Sequence, residues 1–232
     1  MIILRSLLFQ IAFYTSNIVM CIGMFWLPLA SQRVAIFTME RYMLFFGWLE
    51  RTVVGLRYEI TGREHLPTTG CYIAAIKHQS TWETYKLHEW FKDPATIMKA
   101  ELRHIPLWGW YAVKMRSIFV ERGKTGALKS LLAGGRAAKA VGRPIVIFPQ
   151  GTRVPYGVSK PYKRGVIELY SALDVPIVPI ALNSGKFWPR QAIIVRPGVI
   201  QVRILPPIPP GLDGAQVLSR LQDMIESESN KL

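Results

Sequence analysis

The pattern of hydrophobic and polar positions divides the chain into two parts near residue 55. Ser6 to Ala30 is a run of 25 residues without a charge, and about 20 apolar residues suffice to cross a bilayer. Residues 34–56 are also apolar but are interrupted by the pairs Glu40-Arg41 and Glu50-Arg51, which predicts an interfacial helix rather than a second span. We therefore expect membrane-anchoring helices over residues 1–55.

From about Leu56 the pattern changes to short β-rich runs that alternate with helical ones, which is typical of an α/β domain. We predict one such domain over residues 56–232, with a largely parallel mixed sheet flanked by helices. The predicted strands are Leu56–Thr61, Cys71–Ile76, Ala95–Met98, Ser117–Val120, Pro144–Phe148, Val175–Leu182, Ala192–Val195 and Val199–Leu205, the last two forming a hairpin around Pro197-Gly198. The predicted helices are Trp82–Phe91, Lys124–Val141, Arg164–Leu173 and Ala215–Ile225.

Composition and charge indicate a lipid-facing protein. Lys and Arg number 29 against 15 Asp and Glu, a net charge of +14 that suits a phosphate-bearing partner. Half of the residues are hydrophobic, and no zinc-finger spacing, basic heptad region or RNA-binding signature is present, so we expect no nucleic-acid partner. Basic residues are dense after residue 50, whereas Arg5 alone precedes the first apolar segment. This predicts attachment to the cell inner membrane with the main domain on the cytoplasmic side.

One short stretch, "KHQSTWET" at residues 77–84, suggests catalysis. In a continuous helix His78 and Glu83 would point roughly 140° apart, so they can meet only if the chain turns between them. Such a turn is plausible, because a buried strand precedes His78 and Ser80 is a good helix N-cap. The alternative is that Ser80 and Glu83 form a capping box, in which Glu83 merely satisfies a free backbone N–H.

Four stretches follow predicted strand ends in order: "KHQSTWET", "MKAELRHIPLWGW", "FPQGTR" and "VPIVPIALNSG". Ligands of open α/β sheets bind outside the carboxyl ends of the strands, so these stretches can converge. In order and spacing they resemble the motifs of the glycerolipid acyltransferase family, of the 1-acyl-sn-glycerol-3-phosphate acyltransferase (lysophosphatidic acid acyltransferase) type. The resemblance runs from "ITGREHLP" to the last strands.

The resemblance implies catalytic roles for His78 and Glu83. The family's first motif has a histidine and an aspartate with four residues between them, and here Glu83 stands in place of the aspartate. In the family the histidine deprotonates the acceptor hydroxyl, which attacks an acyl thioester, and the acid orients the imidazole. A carboxylate on one imidazole nitrogen fixes the tautomer, which makes this role chemically reasonable. Glutamate keeps the carboxylate but is one methylene longer.

The resemblance also implies a phosphate site. The family's third motif is usually Glu-Gly-Thr-Arg, and "FPQGTR" supplies Gln150, Gly151, Thr152 and Arg153. Glycine lets the backbone approach a ligand, and the planar fork of Arg153 suits phosphate oxygens. Gln150 lacks the glutamate's charge, which leaves it a neutral hydrogen-bonding role.

Further basic residues extend the expected phosphate site. Lys99 and Glu101 match the second motif, with Lys99 as a phosphate contact. Lys163, in "KPYKRG", either helps to bind phosphate or faces anionic headgroups. Val175 to Leu182, in the fourth motif, are apolar enough to be core strand and are assigned to packing and to the walls of the acyl site.

The expected reaction is transfer of a fatty acyl group from acyl-CoA or acyl carrier protein to the free hydroxyl of lysophosphatidate, forming phosphatidic acid. The expected partners are thus a lysophospholipid, an acyl donor and the bilayer. The histidines lack metal-ligand spacing, and we expect neither a metal nor a cofactor. Two alternatives stay open: an acyltransferase for another lysolipid or for glycerol 3-phosphate, and a non-enzymatic basic protein that binds anionic membranes or nucleic acid.

Overall fold

The computed structural model describes residues 1–121, 123 and 126–232. In these residues a seven-stranded sheet runs through the protein in the order β1-β7-β6-β2-β5-β3-β4. All neighbouring strands pair in parallel except β6 and β7, which are antiparallel. The strands are β1 Leu56–Thr61, β2 Ile73–Ile76, β3 Ala95–Lys99, β4 Ile118–Val120, β5 Ile145–Ile147, β6 Ile177–Leu182 and β7 Gly198–Ile204.

Helices cover both faces of this sheet. They are α1 Ile2–Gly23, α2 Gln32–Leu49, α3 Trp82–Trp90, α4 Trp108–Lys114, α5 Ala127–Ala140, α6 Gly165–Leu173, α7 Ser184–Phe187 and α8 Gly214–Lys231. The predicted mixed α/β fold is confirmed. Of the predicted helix Lys124–Val141, the part from Ala127 to Ala140 is helical, and Lys124 lies outside the described residues.

Alternation along the buried strands separates two hydrophobic cores. Ile73 and Ala75 of β2 face the layer formed by α5, α6 and α8, whereas Ala74 and Ile76 face the layer that contains α3. A strand buried on both faces is apolar at every position, as β2 and β6 are. The sheet is therefore the middle layer of a three-layer structure, and its central strand is β2.

The N-terminal helices pack in the same layer as α3. Phe9 and Phe13 of α1 and Phe46 of α2 are buried in one core with Trp82 and Trp188. The opposite side of α1 remains apolar and exposed. Among the described residues α1 is the one helix long and apolar enough to cross a membrane. The division into parts 1–55 and 56–232 stays a prediction.

A buried ion pair joins α2 to α3. Lys86 Nζ lies 2.7 Å from Glu50 Oε1, and both residues are buried. The indole N–H of Trp82 donates to Glu50 Oε2 at 2.9 Å. Burial raises the pKa of Glu50 to about 7, and the nearby Lys86 opposes that rise. Charged groups so deeply buried need a partner, so this pair fixes α3 to the N-terminal helices.

The predicted hairpin is wrong, because residues 192–195 are not a strand. Their backbone groups are satisfied by polar side chains of α1 instead. Ser6 Oγ donates to the carbonyl of Val195 and accepts from its N–H, and Gln10 donates to the carbonyls of Ala192 and Ile193. Because residues 192–195 are hydrogen-bonded to α1, they do not pair with β7, and β7 pairs with β1 and β6.

Candidate active site

The loop from β2 to α3 carries the candidate base over the middle of the sheet. Strand β2 ends at Ile76, and α3 begins at Trp82. Thr81, directly before it, already has helical backbone angles and makes no side-chain cap hydrogen bond. The predicted cap residue, Ser80, makes that contact, because its hydroxyl accepts the N–H of Trp82 at 3.1 Å.

The turn brings His78 and Glu83 into contact. The distance between His78 Nδ1 and Glu83 Oε1 is 2.9 Å. Oε1 also accepts the backbone N–H groups of Gln79 and Ser80, each at 2.7 Å. The catalytic geometry and the Glu83 half of the capping box therefore coexist. Because an ionised carboxylate only accepts hydrogen bonds, Nδ1 is the donor, and in the neutral imidazole this tautomer leaves the lone pair on Nε2.

The second oxygen of Glu83 is held by a residue that the sequence did not reveal. Ser184 Oγ donates to Glu83 Oε2 at 2.8 Å, and both side chains are buried. Ser184 belongs to the quoted stretch "ALNSG", directly after β6. The sequence signal for Ser184 was a hydroxyl residue close behind a fully apolar strand. Glu83 thus accepts four hydrogen bonds, from the His78 ring, two backbone N–H groups and the Ser184 hydroxyl.

The third motif holds His78 from the other side. The Phe148 ring stacks on the imidazole with centroids 4.0 Å apart. Gln150 Oε1 accepts the N–H of His78 at 3.0 Å, and the N–H of Val154 donates to the carbonyl of His78 at 2.8 Å. Backbone and ring of His78 are therefore both fixed by residues 148–154.

A cavity of about 560 Å³ opens beside this pair, which is within the usual range for a small-molecule site. It brings together several predicted residues, namely His78, Lys99, Gly151, Thr152 and Arg153, and adds Arg190, which no local sequence signal indicated. The remaining walls are mostly apolar. They include Met20 of α1, Met39 and Met43 of α2, Leu87 of α3, Tyr111 of α4, and Met115 directly after α4.

Backbone conformation shapes two parts of this lining. Gly151 has a φ of +69°, in the left-handed region that glycine adopts without strain. A Cβ at Gly109 would lie 2.1 Å from the carbonyl oxygen of Arg103, so only glycine fits where α4 crosses the second-motif loop. The side chain of Lys99, just before that loop, is exposed enough to meet a ligand.

Besides the buried Glu83, four predicted residues lie away from the cavity lining. Lys163, predicted either to help to bind phosphate or to face anionic headgroups, is exposed, and its N–H donates to the carbonyl of Pro149 where the chain turns towards α6. Glu101 is exposed in the turn after β3. Gln150 and Ser80 are buried behind His78 and contact its loop. Within the described residues, no cluster of three or more His, Cys, Asp and Glu could hold a metal.

Comparisons with known proteins agree with this geometry. A family model described as "Acyltransferase" matches residues 57–183. The chain is 35% identical to 1-acyl-sn-glycerol-3-phosphate acyltransferase of Pseudomonas aeruginosa over 192 residues, covering 82% of this chain and 74% of that protein. It is 31% identical to the human 1-acyl-sn-glycerol-3-phosphate acyltransferase alpha over 158 residues, covering 67% of this chain and 56% of that protein.

The fold also matches a solved structure. The 1-acyl-sn-glycerophosphate (LPA) acyltransferase PlsC of Thermotoga maritima superposes with a TM-score of 0.83 at 20% identity, covering 100% of this chain and 97% of that one. The residues that the family model matches include His78, Glu83, Lys99 and Arg153. The chain therefore belongs to the acyltransferase family.

Proposed function

We propose that the protein is a 1-acyl-sn-glycerol-3-phosphate acyltransferase, which moves a fatty acyl group from a thioester to lysophosphatidate. The observation that carries the proposal is one cavity with three kinds of wall. It presents a histidine paired with a buried carboxylate, basic side chains suited to phosphate, and an apolar surface for a lipid chain. The names of the bacterial and mammalian relatives point the same way.

In the proposed mechanism His78 is the general base and Glu83 its orienting partner. Nε2 takes the proton of the sn-2 hydroxyl while the hydroxyl oxygen attacks the thioester carbonyl. The carbon–sulfur bond breaks, the thiolate leaves, and the imidazolium returns its proton to the sulfur. The products are phosphatidic acid and a free thiol, formed without a cofactor. Coenzyme A and acyl carrier protein are the candidate donors.

The phosphate of the acceptor is assigned to Arg153 and Lys99. Both side chains line the cavity that His78 lines. A guanidinium binds phosphate oxygens in pairs, and an ammonium adds a point charge. Gly151 and Thr152 would approach the same group with backbone and hydroxyl.

The proposed location is the cytoplasmic side of the inner membrane. The exposed apolar side of α1 would lie in the lipid, where its large side chains stabilise attachment. The basic surface of the rest of the chain would face anionic headgroups. Met20, Met39 and Met43 carry the wall of the cavity into these helices, so an acyl chain could enter from the bilayer.

Substitution of Arg153 tests the acceptor class. Arg153→Ala is expected to lower kcat/KM for lysophosphatidate about tenfold to hundredfold, because losing a hydrogen bond to a charged group costs about 1.5 to 3 kcal/mol. Arg153→Lys should rescue only part, since it keeps the charge but not the fork. A lysolipid without a phosphomonoester should be affected far less. Steady-state assays with one labelled acyl thioester and a panel of acceptors provide the measurement.

Arg164→Ala is the matched control, because Arg164 is exposed, does not line the cavity and has one distant ion pair, to Glu168 at 3.9 Å. Arg164→Ala should leave kcat/KM unchanged for both kinds of acceptor. If the protein acylates phosphate-free acceptors as well as lysophosphatidate and Arg153→Ala slows both equally, another lysolipid is the acceptor. If it transfers no acyl group to any acceptor, the non-enzymatic alternative takes its place.

A further inference from the structure

A buried polar cluster lies behind the candidate base, outside the cavity lining. Its centre is Glu226 on the C-terminal helix α8, a residue that is 8% exposed. Glu226 Oε2 lies 2.5 Å from Lys77 Nζ. Glu226 Oε1 accepts from the Tyr162 hydroxyl at 2.9 Å and from Gln150 Nε2 at 3.3 Å. One carboxylate thus contacts residues from two connections, the one from β2 to α3 and the one from β5 to α6.

Two of these contacts lead to His78. Gln150 donates to Glu226 with Nε2 and accepts the N–H of His78 with Oε1. Because a carboxylate only accepts and a backbone N–H only donates, this arrangement fixes which way the amide points. Lys77 is the residue directly before His78 in the chain. Glu226 therefore constrains the His78 backbone along two routes.

The cluster is also balanced in charge. The Lys77 side chain is almost fully buried, and its Nζ also donates to the carbonyl of Val158 at 3.1 Å. Burial lowers the pKa of Lys77, and Glu226 opposes this by favouring the ammonium. Removing one member of a buried ion pair leaves an uncompensated charge. A neutral residue at position 226 would leave such a charge next to the base.

We propose that Glu226 is a positioning residue of the active site, acting on His78 through Gln150 and Lys77. The proposal rests on the proposed function, because it gives α8 a part in the same reaction. Glu226 touches neither substrate nor the reacting atoms. It sets the position of the imidazole relative to Arg153, since the segment that carries Gln150 also carries Arg153.

Exchanging the two side chains tests this role. Gln150→Glu places a second carboxylate about where an amide now donates to Glu226, so two carboxylates face each other and the donor is lost. The double variant Gln150→Glu/Glu226→Gln restores one carboxylate and one amide, with the net charge of the cluster unchanged. Rescue by the double variant is expected if the pair acts as a unit.

The expected results are specific to the chemical step. Glu226→Gln and Gln150→Glu should each lower kcat about tenfold to hundredfold, because displacing a base by about 1 Å can cost 10²-fold. KM for the acyl donor should change little, since the cluster does not line the cavity. The double variant should recover most of the lost kcat. In wild type, the ¹H–¹⁵N resonance of the His78 amide reports its hydrogen bond to Gln150, and it should shift in Glu226→Gln.

Glu228→Gln is the matched control on the same helix, because Glu228 pairs with Arg203 and with Lys231 at 3.0 Å and contacts no residue of the cluster. It should lower the melting temperature without changing kcat. The proposal is overturned if Glu226→Gln behaves like Glu228→Gln, losing stability but keeping kcat and the His78 amide resonance. A wild type with no acyl transfer would contradict the proposed function instead, and the amide resonance would then decide on positioning alone.

Discussion

The two ends of helix α3 hold two imidazoles of one cavity in different ways. His78, in the loop before the helix, is fixed by Glu83, by the Phe148 ring and by hydrogen bonds to both of its backbone groups. His88, in the last turn, has a buried Nδ1 without a hydrogen-bond partner in the described part of the chain. Burial lowers the pKa of His88 to about 4, against the opposing effect of Asp93.

The difference shows what turns a histidine into a base. His88 is neutral near pH 7 and lines the cavity, but no hydrogen bond from the residues that the structure describes fixes its tautomer through Nδ1. Glu83 lies in the first turn of α3, where the free N–H groups and the helix dipole favour a carboxylate. The position of Glu83 beside His78, rather than the presence of an imidazole, distinguishes His78 from His88.

The largest effect is expected from removing the charge of Glu83. Glu83→Gln should lower kcat about 10²- to 10⁴-fold, because an amide can still accept hydrogen bonds but cannot stabilise the imidazolium. Glu83→Asp should be milder, since the carboxylate survives with a shorter reach. Steady-state kinetics with lysophosphatidate measure both.

Glu89→Gln, on the same helix, is the control for loss of a carboxylate, because Glu89 lies 3.5 Å from Lys86 and contacts Tyr58 rather than His78. Its kcat should stay near that of wild type. Equal and small effects of Glu83→Gln and Glu83→Asp would reduce Glu83 to a helix cap and remove the distinction between the two ends of α3.

A smaller effect concerns the pH dependence of stability at the other end of α3. The pKa of His88 is about 4 in the folded protein and 6.5 in the unfolded chain, so the unfolded state binds more protons between these values. The free energy of unfolding that this neutral imidazole contributes is therefore complete above pH 6.5 and is lost as pH falls towards 4. The full loss is about 3 kcal/mol.

Denaturant unfolding of wild type and His88→Gln in detergent, at pH 7 and at pH 4.5, measures this contribution. The difference in unfolding free energy between the two proteins should change in favour of the variant as the pH falls. If the two proteins lose stability in parallel between these pH values, His88 is solvated and the contrast with His78 rests on Glu83 alone.

Much of the fold was predictable because its signals are local. Apolar runs bounded by glycine and proline predicted strand β1 at its observed bounds and β2, β3, β4, β5 and β6 within two residues at either end. Residues 192–195 have the same composition, but their backbone is satisfied by Ser6 and Gln10 of a distant helix. A local sequence pattern cannot predict a contact between residues that lie about 180 positions apart in the chain.

The site residues also divide into those that the sequence predicted and those that it did not. His78, Arg153 and Lys99 could be placed at one cavity because parallel strands end at the same edge of a sheet. Ser184 and Glu226 were missed, since each is a common residue type whose role depends on the segment it packs against. Lys163 is exposed and does not line the cavity, so of its two predicted roles, contact with phosphate or with anionic headgroups, both stay predictions.

The most direct test of the account compares the two histidines in one assay. His78→Ala and His88→Ala are each purified with the membrane segment intact, and kcat/KM for lysophosphatidate is measured with a saturating acyl thioester. If His78 is the base, His78→Ala should lose about 10²- to 10⁴-fold and His88→Ala should retain most activity. Near-normal turnover by folded His78→Ala, or an equal loss in both variants, would contradict the assignment of His78 as the base.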